Sequence, residues 1–193
     1  GDLVTYDIAL YHLWVQDLLF PYQLEPNGPT FYRNQGETSH SGIEGRITFR
    51  PFPNISSGLT YNYTRAVFRG AQTLDSLSLK GKSVPGIPGH RFTGNIQYNS
   101  SSLLLDLSYE HVSSLPVNNL NTAENGSYGV VNSRISLLNP FRSEQYRIQP
   151  FLNVNNVFDV RYNGSVAVNT FGGRYYEPSA GRNWQVGVSV EFY

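Results

Sequence analysis

Residues 183–193 (NWQVGVSVEFY) alternate polar and apolar side chains and close the chain on two aromatics. Successive side chains of an extended strand point to opposite faces. Trp184, Val186, Val188, Val190 and Phe192 therefore share one face, and Gln185, Gly187, Ser189 and Glu191 share the other. A soluble β-sandwich can end on such a strand. So can a membrane barrel, whose tilted strands need about 9 to 11 residues to cross a bilayer with the apolar face toward lipid and the polar face toward a lumen.

The same period of two recurs along the chain, and no stretch carries a helical face longer than a turn or two. Eight strands are predicted, at about 4–20, 33–50, 55–69, 90–99, 103–113, 128–138, 145–158 and 183–193. In the second, Ile43, Gly45, Ile47 and Phe49 oppose Glu44, Arg46, Thr48 and Arg50; in the fourth, Phe92, Gly94, Ile96 and Tyr98 oppose Thr93, Asn95 and Gln97. Arg65 interrupts the apolar side of the third.

Connection lengths alternate as well. Short links at 51–54, 99–102 and 139–144 carry turn-forming residues, and long ones fall near 21–32, 70–89, 115–127 and 163–182. Outer-membrane barrels have short periplasmic turns and long extracellular loops. A strict alternation puts all long connections on one side, with the C-terminus on the other. A soluble sandwich has no reason to sort its loops this way.

The chain of 193 residues is 39% hydrophobic yet 14% aromatic, which suits a wall with a wet interior better than a packed core. Its formal net charge of zero offers nothing to recruit nucleic acid. The absence of Cys excludes disulfides and thiolate metal sites. No run approaches the ~18 apolar residues of a spanning helix, a test to which barrel strands are blind. The opening GDLVTYDIAL has no secretory leader, so the sequence reads as mature or truncated.

No catalytic arrangement emerges, and the reading is not an enzyme. His12, His40, His90 and His111 include no pair at metal-ligand spacing, so neither a metal nor another cofactor is expected. Glu44, Arg46 and Arg50 share one strand face and read as a lumen-facing ion-pair network; Asp106 and Glu110, four apart on one face, read as lumenal. The sequons at Asn54, Asn62, Asn99, Asn125 and Asn163 are chance in a bacterial barrel.

Four fragments, in order, resemble TonB-dependent outer-membrane receptors. Tyr32-Arg33-Asn34-Gln35-Gly36-Glu37-Thr38, followed by His40-Ser41-Gly42-Ile43-Glu44-Gly45, resembles a barrel-strand motif of that family. Val84-Pro85-Gly86-Ile87-Pro88-Gly89-His90 resembles its Pro-Gly-x-Pro passage from loop to strand, with Gly89 at a position where the family favours a basic or small residue. Leu152-Asn153-Val154-Asn155-Asn156-Val157-Phe158-Asp159, then Tyr162, resembles the penultimate strand. Arg174-Tyr175-Tyr176-Glu177-Pro178, then Gly181-Arg182, resembles the loop before the last strand. Gln185, Gly187, Val190 and Phe192 resemble the C-terminal signal read by the outer-membrane assembly machinery, with Tyr193 one residue beyond the usual aromatic end.

The resemblance implies an all-β, antiparallel up-and-down meander of about eight transmembrane strands, part of an outer-membrane β-barrel or closing into one. Residues 1–193 would form a single barrel segment, the C-terminal part of a receptor of about 22 strands whose plug domain and TonB-contacting segment lie elsewhere. The implied function is TonB-coupled uptake of a scarce ligand in the bacterial outer membrane, most often a ferric siderophore, less often cobalamin or a glycan. Expected partners are outer-membrane lipid, the ligand, the assembly machinery, and TonB only through the missing N-terminal region.

Anionic chelates need cationic and aromatic contacts, which points to Tyr32, Arg33, Arg174, Tyr175 and Tyr176 in the long connections, with Tyr22 and Phe31 nearby. Tyr22, Tyr32 and Tyr162 are also suited to an interfacial aromatic girdle. Two alternatives remain. A stand-alone eight-stranded barrel would carry a structural or adhesive role in its loops, its narrow interior filled by Glu44, Arg46, Arg50, Asp106, Glu110 and Arg134. A soluble lipocalin-like binder would place its apolar residues inside.

Overall fold

The computed structural model describes residues 3–23, 29–70, 73–74, 77–138, 141–142 and 144–193. Eight long strands carry the alternating segments: β1 (Val4–Gln23), β2 (Thr30–Phe52), β3 (Ile55–Phe68), β4 (His90–Asn99), β5 (Leu103–Val112), β6 (Tyr128–Leu137), β7 (Tyr146–Asn155) and β8 (Asn183–Phe192). Each pairs antiparallel with the next in sequence, giving one meander from β1 to β8. Among the described residues β1 and β8 do not pair with each other, so the sheet stays open.

Register converts the alternation into two continuous faces. Tyr146, Ile148, Pro150, Leu152 and Val154 stand opposite Phe192, Val190, Val188, Val186 and Trp184, while Arg147, Gln149 and Asn153 stand opposite Glu191, Ser189 and Gln185. Residues directly opposite share a face, so a one-residue slip would exchange every apolar side chain for a polar one. The apolar face is bare: Tyr6, Leu10, Val186 and Phe192 are 75 to 79% exposed. Among the described residues nothing covers the face at these positions, as a lipid-facing wall requires.

The first long connection is shorter than expected. β1 and β2 remain in register through Gln23 and Thr30, so Tyr22, Phe31, Tyr32 and Arg33 belong to strands and not to a loop spanning 21–32. At about 3.3 Å per residue these strands run roughly 65 and 75 Å, far more than a tilted strand needs to cross an apolar band of about 25 Å. Their outer halves therefore rise beyond the membrane on the long-connection side. A bulge between Val15 and Leu18, with Asp17 at φ 56°, marks the change. The seventh strand, conversely, ends at Asn155 and not near 158, because Asn156 (φ 52°) and Asp159 (φ 56°) turn the chain.

β7 changes partner along its length. Phe151–Val154 pair with Ser133–Ser136 of β6, whereas Arg147 and Ile148 pair with the short piece Phe141–Arg142. Pro150 sits at the break and has no N–H to donate to a ladder, which accounts for the pairing with β6 stopping there.

Buried residues gather where the long connections meet the strand ends. Phe68 and Leu79 form one cluster with Val84 and Leu120. Val112, Leu115 and Val117 form another, covered by Ala123, Tyr128, Val166 and Tyr175. The compact part of the molecule is thus a crown of loops above a wall that is exposed on its apolar face.

Candidate functional site: the polar face and the loop crown

Cross-strand pairs, joined by bonds between residues two apart on one strand, organise the polar face. Asn62 Nδ2 donates to Glu44 Oε1 at 2.9 Å, Thr64 Oγ1 donates to Asn62 Oδ1 at 2.8 Å, and the Tyr11 hydroxyl lies 2.7 Å from Thr64 Oγ1. Tyr11 reaches across because Gly42, directly opposite, leaves its ring free passage; a Cβ there would come within 2.5 Å of the hydroxyl. Further round, Arg91 donates to Glu110 Oε1 from Nη2 at 2.6 Å and from Nε at 3.0 Å. Arg147 pairs with Glu191, Asn153 with Gln185 at 2.9 Å, and Asn155 with Asn183 at 2.9 Å.

Glu44, Arg46 and Arg50 do share the polar face, but among the described residues they form no ion pair with one another. Side chains two apart on a strand are separated by a full pleat repeat, whereas Asn62 stands directly opposite Glu44, where Cβ atoms are about 4.5 to 5.5 Å apart. For Glu44 the cross-strand neighbour is the partner that bonds. Arg134 uses both kinds of neighbour, since its Nε donates to Ser136 Oγ, two along the same strand, at 3.2 Å. Its guanidinium carbon lies 4.2 Å from the centroid of Phe151, and its Nη1 is 3.4 Å from Asn153 Oδ1. Gly187 faces Phe151, and a Cβ at that position would fall 2.4 Å from ring Cζ.

In the crown, asparagine amides fasten three connections together. Asn121, at φ 55°, accepts from the Ser83 N–H at 2.8 Å and returns a bond to the Ser83 carbonyl at 2.9 Å. Asn169 Oδ1 accepts from the Asn119 N–H at 2.9 Å, and its Nδ2 donates to Asn119 Oδ1 at 3.1 Å. Asn125 and Asn163 exchange bonds at 2.9 and 3.1 Å. Asn119 and Asn125 are buried, and a buried amide must find partners. These residues carry no catalytic signature and escaped the sequence reading; the density of Asn over residues 118–125 is the signal that could have revealed them.

Two separate sequence motifs prove to be halves of one clasp. Asn156 accepts from the Val160 N–H at 2.9 Å and donates to the carbonyls of Val160 (2.8 Å) and Ala180 (3.3 Å). Asp159 Oδ1 accepts from the Arg182 N–H at 2.8 Å, and Arg182 Nη1 lies 3.4 Å from the Val157 carbonyl. The Asn-x-x-Asp element after β7 thereby holds the Gly-Arg element before β8.

The candidate contact residues occupy different settings. Tyr32 is exposed on β2; Arg33 is on β2 by its backbone, opposite Phe20, and its side chain lies outside the described residues, as does that of Tyr22. Arg174 is exposed and follows the 3-10 turn Phe171–Gly173. Tyr175 is half-buried against the Val112 cluster. Tyr176 is exposed, donates its hydroxyl to the Glu124 carbonyl at 3.0 Å and meets Tyr175 edge-on at 6.1 Å. Tyr162 packs against Tyr128 with centroids 4.5 Å apart and the rings tilted by 36°. His40 and His90 are bonded locally to Thr38 and Tyr61. Among the described residues no three His, Asp or Glu side chains could hold a metal ion.

Open meander, bare apolar face and loop crown together match known proteins. The family model described as TonB-dependent receptor-like, β-barrel, matches residues 1–191. The ferric citrate transporter FecA in its unliganded form superposes with a TM-score of 0.75 at 19% identity, over 98% of this chain and 29% of that one. The ferric yersiniabactin uptake receptor FyuA from Yersinia pestis gives 0.74 at 21% identity, over 98% of this chain and 27% of that one. The copper transporter OprC gives 0.74 at 16%, over 100% and 29%. At these identities the likeness establishes the fold, and the chain spans less than a third of the length of each. The family match, which covers nearly every residue, decides the identity: this chain belongs to the TonB-dependent receptor-like β-barrel family of the bacterial outer membrane.

Proposed function

We propose that this chain supplies the C-terminal part of the barrel wall, and the loops above it, in a receptor that takes up a scarce ligand at the expense of TonB-transmitted energy. The observation that carries the reading is the open sheet. Unpaired strand edges are not tolerated in lipid, and among the described residues β1 and β8 leave theirs free for strands that would complete a larger wall. A ferric siderophore is the favoured ligand class, in line with FecA and FyuA, which are named for ferric citrate and ferric yersiniabactin.

In this reading binding and gated passage involve no covalent chemistry. Arg174, exposed on the crown, offers a guanidinium to an anionic chelate, with Tyr176 beside it and Tyr32 and Arg33 on the tall β2 strand. The terminal strand, with Gln185, Gly187, Val190 and Phe192, would engage the assembly machinery. TonB would be met only by a segment outside this chain.

Two measurements test the proposal. An antibody against residues 174–182 should detect, in native outer membranes, a band several times heavier than 21.7 kDa. A band at that mass would overturn the larger receptor in favour of a small closed barrel. Uptake of iron-labelled siderophores by cells carrying or lacking the gene should then differ; equal uptake for every chelate tried would refute the ligand class.

A further inference from the structure

Strand β3 carries a cation on its apolar face. Arg65 follows Tyr61 and Tyr63 on that face, stands opposite Ser41, is exposed, and has no hydrogen-bonding or ionic partner among the described residues. Just below it lies an aromatic group: His90 meets the Tyr63 ring at 5.1 Å and takes part in a 2.7 Å bond with the Tyr61 hydroxyl. On β1, Trp14 stands opposite Ser39, one step above the Ser41 level. Aromatic belts mark the headgroup level of a bilayer, and the long connections mark its outer side. Arg65 therefore sits where the apolar face meets the outer-leaflet headgroups.

Arg69 joins it. Four residues further along the same face, Arg69 turns back so that Nη2 lies 3.4 Å from Ser39 Oγ, and Ser39 is opposite Val67, midway between the two arginines. The Arg69 guanidinium is thereby drawn down the strand toward the level of Arg65. Glu37, at the upper rim of this face, accepts from Trp14 Nε1 at 2.9 Å.

We propose that Arg65 and Arg69 form a ledge that binds the phosphate of an outer-leaflet lipid headgroup. Guanidinium groups suit phosphate oxygens through paired, charge-assisted bonds. A lipid fits better than a soluble anion because the ledge faces away from the polar face and continues directly into the apolar rows of Ile43, Tyr63 and Leu59, which acyl chains would cover. This goes beyond the uptake proposal and does not depend on which ligand is transported.

The test uses the protein purified from outer membranes and returned to vesicles of phosphatidylcholine, with or without a minority of phosphatidic acid. Phosphatidic acid should raise the unfolding temperature of the native protein, and mass spectrometry should find it enriched several-fold over phosphatidylcholine on the released protein. The double variant R65A/R69A should lose both effects, and R65K/R69K should keep part of them. Heat-modifiable mobility on gels reports that each variant is folded; if the double alanine variant fails that check, R65Q alone is compared at low and high salt. Equal enrichment in the wild type and the neutral variants would overturn the proposal. So would an equal temperature shift from inorganic phosphate without phosphatidic acid, since the site would then be one for a soluble anion.

Discussion

Phe151 and Gly187 face each other across β7 and β8, and the ring occupies the space in which any other residue would carry its Cβ. Phe151 in turn lies beneath the Arg134 guanidinium. The glycine of the terminal strand is therefore part of a three-residue stack, Gly187, Phe151 and Arg134, on the polar face. Replacing Gly187 by Val forces the ring aside and unseats Arg134. Overpacking of this kind costs about 1 to 3 kcal/mol. A lowered midpoint of heat-modifiable mobility for G187V, with S189A unchanged, is the expected result; an unaltered midpoint would remove the stack from consideration.

The two faces of β8 predict opposite tolerances. Arg147 and Glu191 pair on the polar face, but both retain substantial exposure, and exposed pairs contribute about 0 to 1 kcal/mol. Val188 stands mid-strand on the apolar face, where an introduced Arg costs about 2 to 4 kcal/mol. V188R should therefore reduce barrel stability, or the yield of assembled protein, well beyond E191Q. Equal penalties would contradict the assignment of faces.

Each clamp of the crown can be broken singly. N121A removes the amide that pairs with both backbone groups of Ser83, and N169A removes the partner of Asn119. Asn119 is buried, and leaving it without its partner costs about 1 to 3 kcal/mol, whereas each of the exposed Asn121–Ser83 bonds contributes about 0.5 to 1.5 kcal/mol. Hydrogen exchange should accelerate at Ser83 in the first variant and at Asn119 in the second, while β7 and β8 keep their protection. Acceleration throughout the wall would mean that crown and wall unfold as one unit.

Arg174 and Tyr175 separate binding from scaffolding. R174A should weaken the binding of an anionic ferric chelate about tenfold or more, because a charge-assisted bond is worth about 1.5 to 3 kcal/mol, and should leave exchange in the crown unchanged. Y175A should disturb the crown first, since Tyr175 packs on the Val112, Leu115 and Val117 cluster. Unchanged affinity in R174A, measured by titration of the purified receptor, would withdraw Arg174 from the site.

The wall was legible in the sequence because period-2 alternation is a local signal, carried intact by segments such as Phe92 to Tyr98 and Trp184 to Phe192. Strand height was less so. Pro21, Pro26, Gly28 and Pro29 advertise a turn, and the ladder that keeps Tyr22 opposite Phe31 arises from pairing between strands. The crown was illegible because its bonds span long separations: Ser83 to Asn121 is 38 residues and Asn119 to Asn169 is 50. Sequons at Asn125 and Asn163 looked accidental as glycosylation sites, and nothing local reveals that the two side chains bind each other. Glu44 and Arg46 suggested an ion pair by proximity along the strand, but the decisive neighbour, Asn62, comes from the next one.

Pro150 leaves a seam in the wall. Below Phe151 the ladder from β6 is interrupted, while β7 and β8 stay zipped along their whole length, from Tyr146 and Phe192 up to Asn155 and Asn183. The closing hairpin is thus more firmly joined within itself than to the wall it completes. Pulled apart, the wall should part along the lower half of β7 and release its last two strands as one piece; assembled, it should receive them the same way.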